Sequence, residues 1–173
     1  MDKYSIKNGF LLFIIFLIFY SIFYLYWKHD VGNDWSISEW LINYQGGFTR
    51  RGLGGEINIF LADIFSIPLR DAIFFLQVTA HLIYLVFLFI YLKDLKLDIL
   101  QIFALFSPLF LLYPIAELEA LGRKEIFIFL FFTFVIFFSK EKFHKNVVNF
   151  IVFLFFPLLC LIWEQIILFA PFF

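Results

Sequence analysis

The sequence predicts an all-α membrane protein: a polytopic transmembrane helical bundle of about five spans, with an interfacial or re-entrant helix in its first outer loop. Of the 173 residues, 64% are hydrophobic and only 16% are charged, and the mean hydropathy is +0.95. A soluble domain is nearer half apolar and a quarter charged. The apolar residues also form several runs close to the length that crosses about 30 Å of hydrocarbon. Because a segment in lipid must satisfy its own backbone hydrogen bonds, these runs are expected to be helices.

Five runs are predicted to span the membrane within a single transmembrane domain. They cover residues 10–27, 72–92, 99–116, 121–138 and 147–165. Pro108, Pro114 and Pro157 are expected to kink these helices rather than abolish them. The first run ends in "YLYWKHD" and shows no small-residue cleavage site, so we interpret it as a retained anchor and not as a secretory signal.

Between the first two spans, "GEINIFLADIFSIPL" is apolar but is interrupted by Glu56 and Asp63. It is too short and too charged for a confident span, and its pattern favours an interfacial or re-entrant helix. The chain stops at Phe173 in apolar sequence with no polar tail. We therefore expect residues 1–173 to be the N-terminal part of a larger protein.

The distribution of cations predicts a cytoplasmic N-terminus. With that orientation the inner segments hold seven cations, all of them lysine: Lys3, Lys7, Lys93, Lys96, Lys140, Lys142 and Lys145. The outer segments hold six: Lys28, Arg50, Arg51, Arg70, Arg123 and Lys124. The excess of inner cations is small, and the prediction also depends on the outer arginines lying beside glycine or acidic residues in motif-like strings.

Three polar strings are predicted to converge on the outer face. The first is "YQGGFTRRGLGGE", which runs from Tyr44 to Glu56, and the second is "ELEALGRKE" in the next outer loop. The third is "WEQ", which counting along the last span at 1.5 Å per residue brings to the same boundary. This convergence is the strongest functional signal in the sequence.

The first string has the composition of an anion site. Its five glycines permit positive φ angles and close backbone approach, while Arg50 and Arg51 supply planar forks suited to phosphate or carboxylate. Both arginines and Glu56 are candidate substrate-binding residues. The structural alternative is that the arginines bind lipid headgroups or pair with nearby acids, and that the glycines serve helix packing or turns.

Arg123 and Lys124 of the second string are further candidate substrate-binding residues. Here the structural alternative is a simple helix pair, since Glu119 and Arg123 are four residues apart. In the third string, Glu164 is an ionisable residue flanked by "LLCLIW" and "IILF". Because a charge is costly in such surroundings, Glu164 is interpreted as a functional residue or as half of a buried pair.

Asp34, in "VGNDWSISEW", is the candidate catalytic carboxylate beside the first span. A carboxylate held near the interface could act as general base for a sugar hydroxyl or orient a cation. Glu39 and Asp30 are its rivals. Asp34 could equally cap the helix that begins near Trp35, for which Ser36 and Ser38 are alternative caps.

Other classes of function have no support in the residues. A formal charge of −1 gives no basic surplus for nucleic acid, and the single Cys160 can build neither a disulfide nor a zinc site. No metal site, phosphate-binding P-loop or serine nucleophile elbow is predicted, and no cofactor is indicated, although a divalent cation is compatible with the acidic residues. Gln77 and His81 lie one turn apart on the second span and are expected to hydrogen-bond another helix.

The strings "NDWSISEWLINYQGGFTRRGLGGE", "ALGRKEIFIF" and "WEQ" together resemble a group of bacterial inner-membrane proteins associated with surface-polysaccharide assembly. Their layout is similar to that of the GT-C class of polytopic glycosyltransferases, which use polyprenyl-phosphate-linked sugars. The resemblance implies a multi-pass inner-membrane protein with a cytoplasmic N-terminus and interfacial helices in the first outer loop. It also implies an acidic catalytic residue near the end of the first span, which matches Asp34, with Asp30 as the fallback.

The sequence therefore predicts a membrane glycosyltransferase, or a related sugar-polymer enzyme, that acts at the outer face on a polyprenyl-phosphate-linked sugar. Asp34 and Glu164 are its candidate catalytic residues. The candidate substrate-binding residues are Arg50, Arg51, Glu56, Arg123 and Lys124. The expected partners are the lipid bilayer and the lipid-linked sugar, and the alternative is a transporter or a non-catalytic scaffold that handles such anionic substrates.

Overall fold

The computed structural model describes residues 3–30, 35–93, 98–107, 121–140 and 145–172. These residues form seven α-helices and one 3₁₀-helix: α1 (Lys3–Asp30), α2 (Trp35–Trp40), α3 (Gly52–Phe65), α4 (Leu69–Leu92), α5 (Ile99–Leu105), α6 (Ile126–Lys140), α7 (Lys145–Ile162) and the 3₁₀-helix Glu164–Phe172. No strand occurs within these ranges, which confirms the predicted all-α class for the part of the chain they cover.

Within the described ranges, two helical stretches are long and apolar enough to cross a membrane: Asn8–His29 in α1 and Leu69–Leu92 in α4. They correspond to the first two predicted spans, residues 10–27 and 72–92. The apolar stretches in α6 and α7, Ile126–Ser139 and Asn146–Ile162, are shorter. Two helices of spanning length indicate association with a membrane, and the five-span arrangement stays a prediction.

The later helices differ from the predicted spans at their ends. Helix α6 begins at Ile126 and not at Leu121, because residues 121–125 form a turn in which Gly122 has a φ of +95°. Helix α7 continues through Pro157 but ends at Ile162, short of the predicted residue 165. Of the predicted span 99–116, α5 covers the beginning, and residues 108–116 lie outside the described ranges.

The apolar core lies where α1 packs on α4 and α4 packs on α6. Its buried members include Ile14 and Leu17 of α1, Leu85 and Leu88 of α4, and Ile126 of α6. Such burial removes apolar surface from solvent without requiring directed contacts, and it holds the long helices side by side. The three polar strings lie at one end of the bundle that these helices form.

Helix α3 confirms that the "GEINIFLADIF" segment is helical, and it packs on α4 and α7. Its first turn contains three of the five glycines of the first string, Gly52, Gly54 and Gly55, and a Cβ atom at Gly55 would overlap the backbone carbonyl of Ile42. A Cβ at Gly52 would likewise overlap the ring of Tyr44. These glycines therefore serve close approach, while Gly47 has the only positive φ in the string, at +115°.

Candidate functional site

The segment between α2 and α3 carries the two arginines of the first string and is held by its own polar groups. The backbone N–H of Gln45 donates to the Asn43 side-chain oxygen at 2.9 Å, and that of Gly47 donates to the Tyr44 carbonyl at 3.0 Å. Glu56 of α3 then accepts a 2.7 Å hydrogen bond from the backbone N–H of Tyr44. The carboxylate of Glu56 therefore closes this segment onto α3, and its predicted contact with substrate stays a prediction.

The turn at residues 121–125 is fixed by the carbonyl oxygen of Gly122. That oxygen accepts a 2.7 Å hydrogen bond from the indole N–H of Trp40 in α2 and another of 2.7 Å from the side-chain amide of Gln77 in α4. Both donors are buried. The sequence predicts that Gln77 and His81 hydrogen-bond another helix, but Gln77 bonds this turn and the ring of His81 is hydrogen-bonded to the Gln77 carbonyl of the same helix.

Arg51 and Glu164 form the contact that joins the first string to the third. Arg51 donates from Nη2 at 2.7 Å and from Nε at 3.3 Å to the same carboxylate oxygen of Glu164. The guanidinium also lies 4.8 Å from the centre of the Trp163 indole ring, within cation–π range. About a third of each charged side chain is exposed, 33% for Arg51 and 35% for Glu164, so the pair lies at the boundary between core and surface.

Arg50 lies on the outside of the same contact. Its side chain is 85% exposed, and its guanidinium approaches the second carboxylate oxygen of Glu164 only to 3.9 Å. An arginine that is so exposed and so loosely paired retains most of its donors for another partner.

Lys124 connects the second string to the first on the interior side of the site. Its side chain is completely buried, and Nζ donates a 3.2 Å hydrogen bond to the backbone carbonyl of Arg51. A Cβ atom at Gly54 would lie 3.4 Å from the same nitrogen, which is ordinary contact distance, so the ammonium lies directly against α3. Lys124 therefore supports Arg51 from the interior and does not face solvent.

Arg123 is the second cation of this turn. It forms a 2.8 Å ion pair with Glu125 and lies 6.0 Å from the centre of the Trp163 ring. Trp163 is thus flanked by a guanidinium from each of two strings, and only 1% of it is exposed. Cation–π contacts of this kind stabilise the arrangement by about 0.5–2 kcal/mol each.

Burial and these contacts determine the electrostatics of the polar cluster, which consists of the residues just described and their buried neighbours in α2 and α3. The hydrogen bond from Arg51 lowers the pKa of Glu164, so this carboxylate stays ionised at neutral pH. Burial lowers the pKa of Lys124 to about 8, an effect that the charge of Glu39 opposes and that of Arg51 reinforces. Burial also raises the pKa of Glu125. The cluster therefore contains a firmly ionised carboxylate at its rim and a lysine in its interior that loses its proton more readily than usual.

The three polar strings that the sequence predicts to converge do come together in the structure. Arg51 contacts both Glu164 and Lys124, although these residues lie 113 and 73 positions further along the chain. Asp34, the predicted catalytic carboxylate, lies outside the described residues. Of its two rivals, Glu39 lies buried beside this cluster, and the side chain of Asp30 is outside the described part. The catalytic and binding roles assigned from the sequence stay predictions.

Sequence reasoning missed several residues that build the site. Asn58 is fully buried on α3 and donates to the carbonyls of Trp40, at 3.3 Å, and of Gly54, at 3.0 Å. It ties α2 to the glycine-rich turn of α3. An amide inside "EINIFLA" could have been identified by the reasoning applied to Glu164, since a polar group in apolar surroundings needs a partner.

Several buried polar atoms of the cluster have no hydrogen-bond partner in the described part of the chain. Among them are Glu39 Oε2, Glu125 Oε2, Asn58 Oδ1 and Trp163 Nε1. Such atoms are rare in native proteins and call for a physical reason at each position. The described ranges contain no group of three or more His, Cys, Asp or Glu side chains that could hold a metal ion.

No family model matches the chain, and neither does any curated protein or solved structure. The resemblance to GT-C glycosyltransferases therefore stays a prediction from the sequence.

Proposed function

We propose that this chain is a membrane glycosyltransferase, or a related sugar-polymer enzyme, that takes a polyprenyl-phosphate-linked sugar at the outer face of a bacterial inner membrane. The observation that carries the proposal is the meeting of Arg50 and Arg51 with Lys124 and Glu164 at one end of a bundle of apolar helices. A lipid-linked phosphate has the matching arrangement, with a charged group at one end of a long apolar chain. Cations at the end of a lipid-facing bundle suit that ligand.

The described residues offer the phosphate one exposed donor group and a favourable helix end. Arg50 is exposed, and a guanidinium fork binds phosphate oxygens through two parallel hydrogen bonds. Beside it, α3 begins at Gly52; the glycines of its first turn are buried, so this helix end favours a nearby anion through its dipole and not through direct hydrogen bonds. Arg51 is already paired with Glu164, so it would share its guanidinium between that carboxylate and the incoming phosphate.

The proposed reaction needs a base and a stabilised leaving group. An acceptor hydroxyl attacks the anomeric carbon of the sugar, the bond from that carbon to the phosphate oxygen breaks, and the carrier leaves as polyprenyl phosphate. The base takes the hydroxyl proton, and the arginines stabilise the charge on the leaving phosphate. Because Arg51 lowers the pKa of Glu164, that carboxylate is a weaker base than an unpaired glutamate, and we assign this step to Asp34.

The membrane arrangement in this proposal has five spans and a cytoplasmic N-terminus, which places Arg50, Arg123 and Glu164 outside. A topology reporter inserted after Gly46 tests it, because a Cβ atom at this exposed glycine meets nothing within 4 Å. We expect the reporter to be active on the outer side. Activity on the cytoplasmic side would contradict the arrangement.

The test of ligand binding replaces Arg50 and Arg51 together by Ala in the full chain, held in lipid nanodiscs. Affinity for polyprenyl phosphate should fall by about tenfold or more, since charge-assisted contacts to phosphate are lost. Lys93→Ala, at the far end of α4, is the matched loss of a cation and should leave the affinity unchanged. Equal affinity of wild type and double variant for polyprenyl phosphate would remove the arginines from the site.

Comparison with phosphatidylglycerol separates a carrier site from a general headgroup site. A site for the carrier should prefer polyprenyl phosphate in nanodiscs of equal charge. Equal affinity for both lipids would favour binding of ordinary anionic headgroups and would contradict the carrier proposal.

Asp34→Asn tests the catalytic part. If Asp34 is the base, sugar transfer should be abolished while the level of membrane-inserted protein is little changed. If Asp34 only caps α2, the substitution should preserve the rate of transfer with little loss of stability, because asparagine caps a helix about as well as aspartate does.

A transporter or a non-catalytic scaffold is the second candidate, and one observation favours it. Lys124 is fully buried and Arg51 is already paired, so much of the cluster is satisfied within the chain. A scaffold would bind the carrier lipid without turnover and would be insensitive to Asp34→Asn. A measured release of polyprenyl phosphate from the lipid-linked sugar would exclude the scaffold.

A further inference from the structure

Two buried charges of opposite sign lie on the interior side of Arg50 and Arg51. Lys124, in the turn before α6, is completely buried, and Glu39 of α2 is 9% exposed. Lys124 donates to the backbone of Arg51, while the Oε2 atom of Glu39 has no hydrogen-bond partner among the described residues. Neither charge can be explained as a solvated surface group.

The fold brings together the segments that carry these two side chains. The neighbour of Glu39, Trp40, donates its indole N–H to the carbonyl of Gly122, two residues before Lys124, at 2.7 Å. Asn58 then ties the Trp40 carbonyl to α3 at 3.3 Å, on the side where Gly54 faces the lysine ammonium. Three segments that are distant in sequence thus meet around the lysine, and the charge of Glu39 acts on it from α2.

We propose that Glu39 and Lys124 act as a buried pair of opposite charges that interact without direct contact, and that this pair positions Arg51 through its backbone carbonyl, which makes Glu39 a positioning residue of the site. The proposal deepens the proposed function, since the ligand of Arg51 is the lipid phosphate named there. The pair itself can be tested without that ligand. It also couples α2, which begins directly after Asp34 in the sequence, to the arginine segment.

The physical reason is that a buried ammonium needs a counter-charge. An uncompensated charge in the interior is costly, so without Glu39 the lysine would give up its proton more readily. The charged groups facing or surrounding Lys124 are Glu39 of α2, Arg51 before α3, Arg123 and Glu125 of its own turn, and Glu164 of the 3₁₀-helix. Only Glu39 is both buried and without another described partner.

Trp163 provides a readout of Arg51 that requires no substrate. The Arg51 guanidinium lies 4.8 Å from the centre of its ring, so a shift of Arg51 changes the environment of the indole. The experiment labels the tryptophans of the full chain with 5-fluorotryptophan and follows the fluorine resonance that Trp163→Phe removes. In the wild type this resonance should titrate with a midpoint near pH 8, as Lys124 loses its proton.

Glu39→Gln should move this midpoint to lower pH by roughly one unit, because a neighbouring opposite charge raises a lysine pKa by about that much. Lys124→Met should abolish the titration. Asp63→Asn, which removes an exposed carboxylate from α3, is the matched control and should leave the midpoint unchanged. A merely structural role for Glu39 would not shift a titration.

Some outcomes would overturn the proposal. An unshifted midpoint in Glu39→Gln would do so, as would a titration that persists in Lys124→Met, or a wild-type resonance that does not change between about pH 7 and pH 9. If a single variant fails to fold, Glu39→Gln combined with Lys124→Met should fold, because no unpaired charge is left, and it should show no titration. A double variant that is less stable than either single variant would contradict pairing.

The charge pair and the proposed function can fail independently of each other. A protein that shows the predicted titration but binds no polyprenyl phosphate would refute the lipid-phosphate ligand and leave the charge pair standing. The reverse result would refute the pair alone.

Discussion

The apolar core and the polar end of this bundle are held together by different kinds of interaction. In the core, Ile14, Leu17 and Leu88 are each at most 4% exposed and contact other hydrocarbon side chains. At the polar end, Lys124 and Asn58 are fully buried as well, but each is fixed by particular hydrogen bonds. Burial alone holds the core, and many apolar sequences would provide it. The polar end depends on individual atoms, because each unpaired polar group costs free energy.

The largest single effect is expected in the apolar core. Leu17→Ala removes a side chain that is 2% exposed and should lower the free energy of unfolding by about 2–5 kcal/mol, through lost burial and the cavity left behind. Leu12→Ala, on the same helix but 66% exposed, is the matched control and should cost much less. Thermal unfolding of the detergent-solubilised chain measures both. Equal losses would show that α1 does not pack on α4 through Leu17.

The next effect is a dependence of stability on pH at the polar end. The pKa of Lys124 is about 8 in the folded chain, against an ordinary value of 10.5. Between these two values the unfolded chain binds a proton that the folded chain does not, so stability should rise with pH, by up to about 3 kcal/mol in total. Lys124→Met should remove this rise, whereas Lys93→Met should retain it. A pH dependence equal to that of the wild type in Lys124→Met would rule out the lysine as its source.

A smaller effect distinguishes two glycines of the same string. A Cβ at Gly55 would overlap the carbonyl of Ile42, while a Cβ at Gly46 would meet nothing within 4 Å. Gly55→Ala should therefore destabilise the protein by about 2 kcal/mol, despite the better helix propensity of alanine, and Gly46→Ala should be close to neutral. Chemical denaturation of both variants is the check. A neutral Gly55→Ala would mean that α3 and the segment before it are further apart than the structure shows.

The smallest effect is expected at the rim. Glu164→Gln breaks the ion pair with Arg51, but both side chains are about one third exposed, so the melting temperature should stay close to that of the wild type. The salt dependence of the melting temperature should decrease as well, because screening then has one ion pair fewer to weaken. Asp63→Asn is the control for loss of a carboxylate. A drop in melting temperature as large as that of Leu17→Ala would place the pair in the core instead of at the rim.

Much of the architecture could be predicted from local sequence. Long apolar runs predicted α1 and α4, and the costly charge of Glu164 indicated a partner, which is Arg51. The start of α6 could not be predicted, since the carbonyl of Gly122 is held by donors 82 and 45 residues away. The hydrophobic pattern of a sequence does not show which distant side chains will donate hydrogen bonds to a given carbonyl.

The glycines of the first string illustrate the same limit. The sequence left open whether they serve an anion site or helix packing, and Gly52, Gly54 and Gly55 lie in the first turn of α3. Gly52 and Gly55 are needed there because a Cβ atom would overlap Tyr44 and Ile42, whereas at Gly54 it would make only ordinary contact with Lys124. A composition that suits a loop suits a tightly packed helix start equally well, and only the tertiary neighbours decide between them.

The central claim is that the arginine segment and the start of the 3₁₀-helix lie against each other, and cysteine cross-linking tests it most directly. Arg50→Cys and Gln165→Cys, both exposed positions, are introduced together with Cys160→Ser and treated in the membrane with a short bismaleimide. The control pairs Arg50→Cys with Ser139→Cys near the end of α6. The account predicts efficient cross-linking of residues 50 and 165 and none of 50 and 139. Absence of the first cross-link, or equal yields for both pairs, would contradict it.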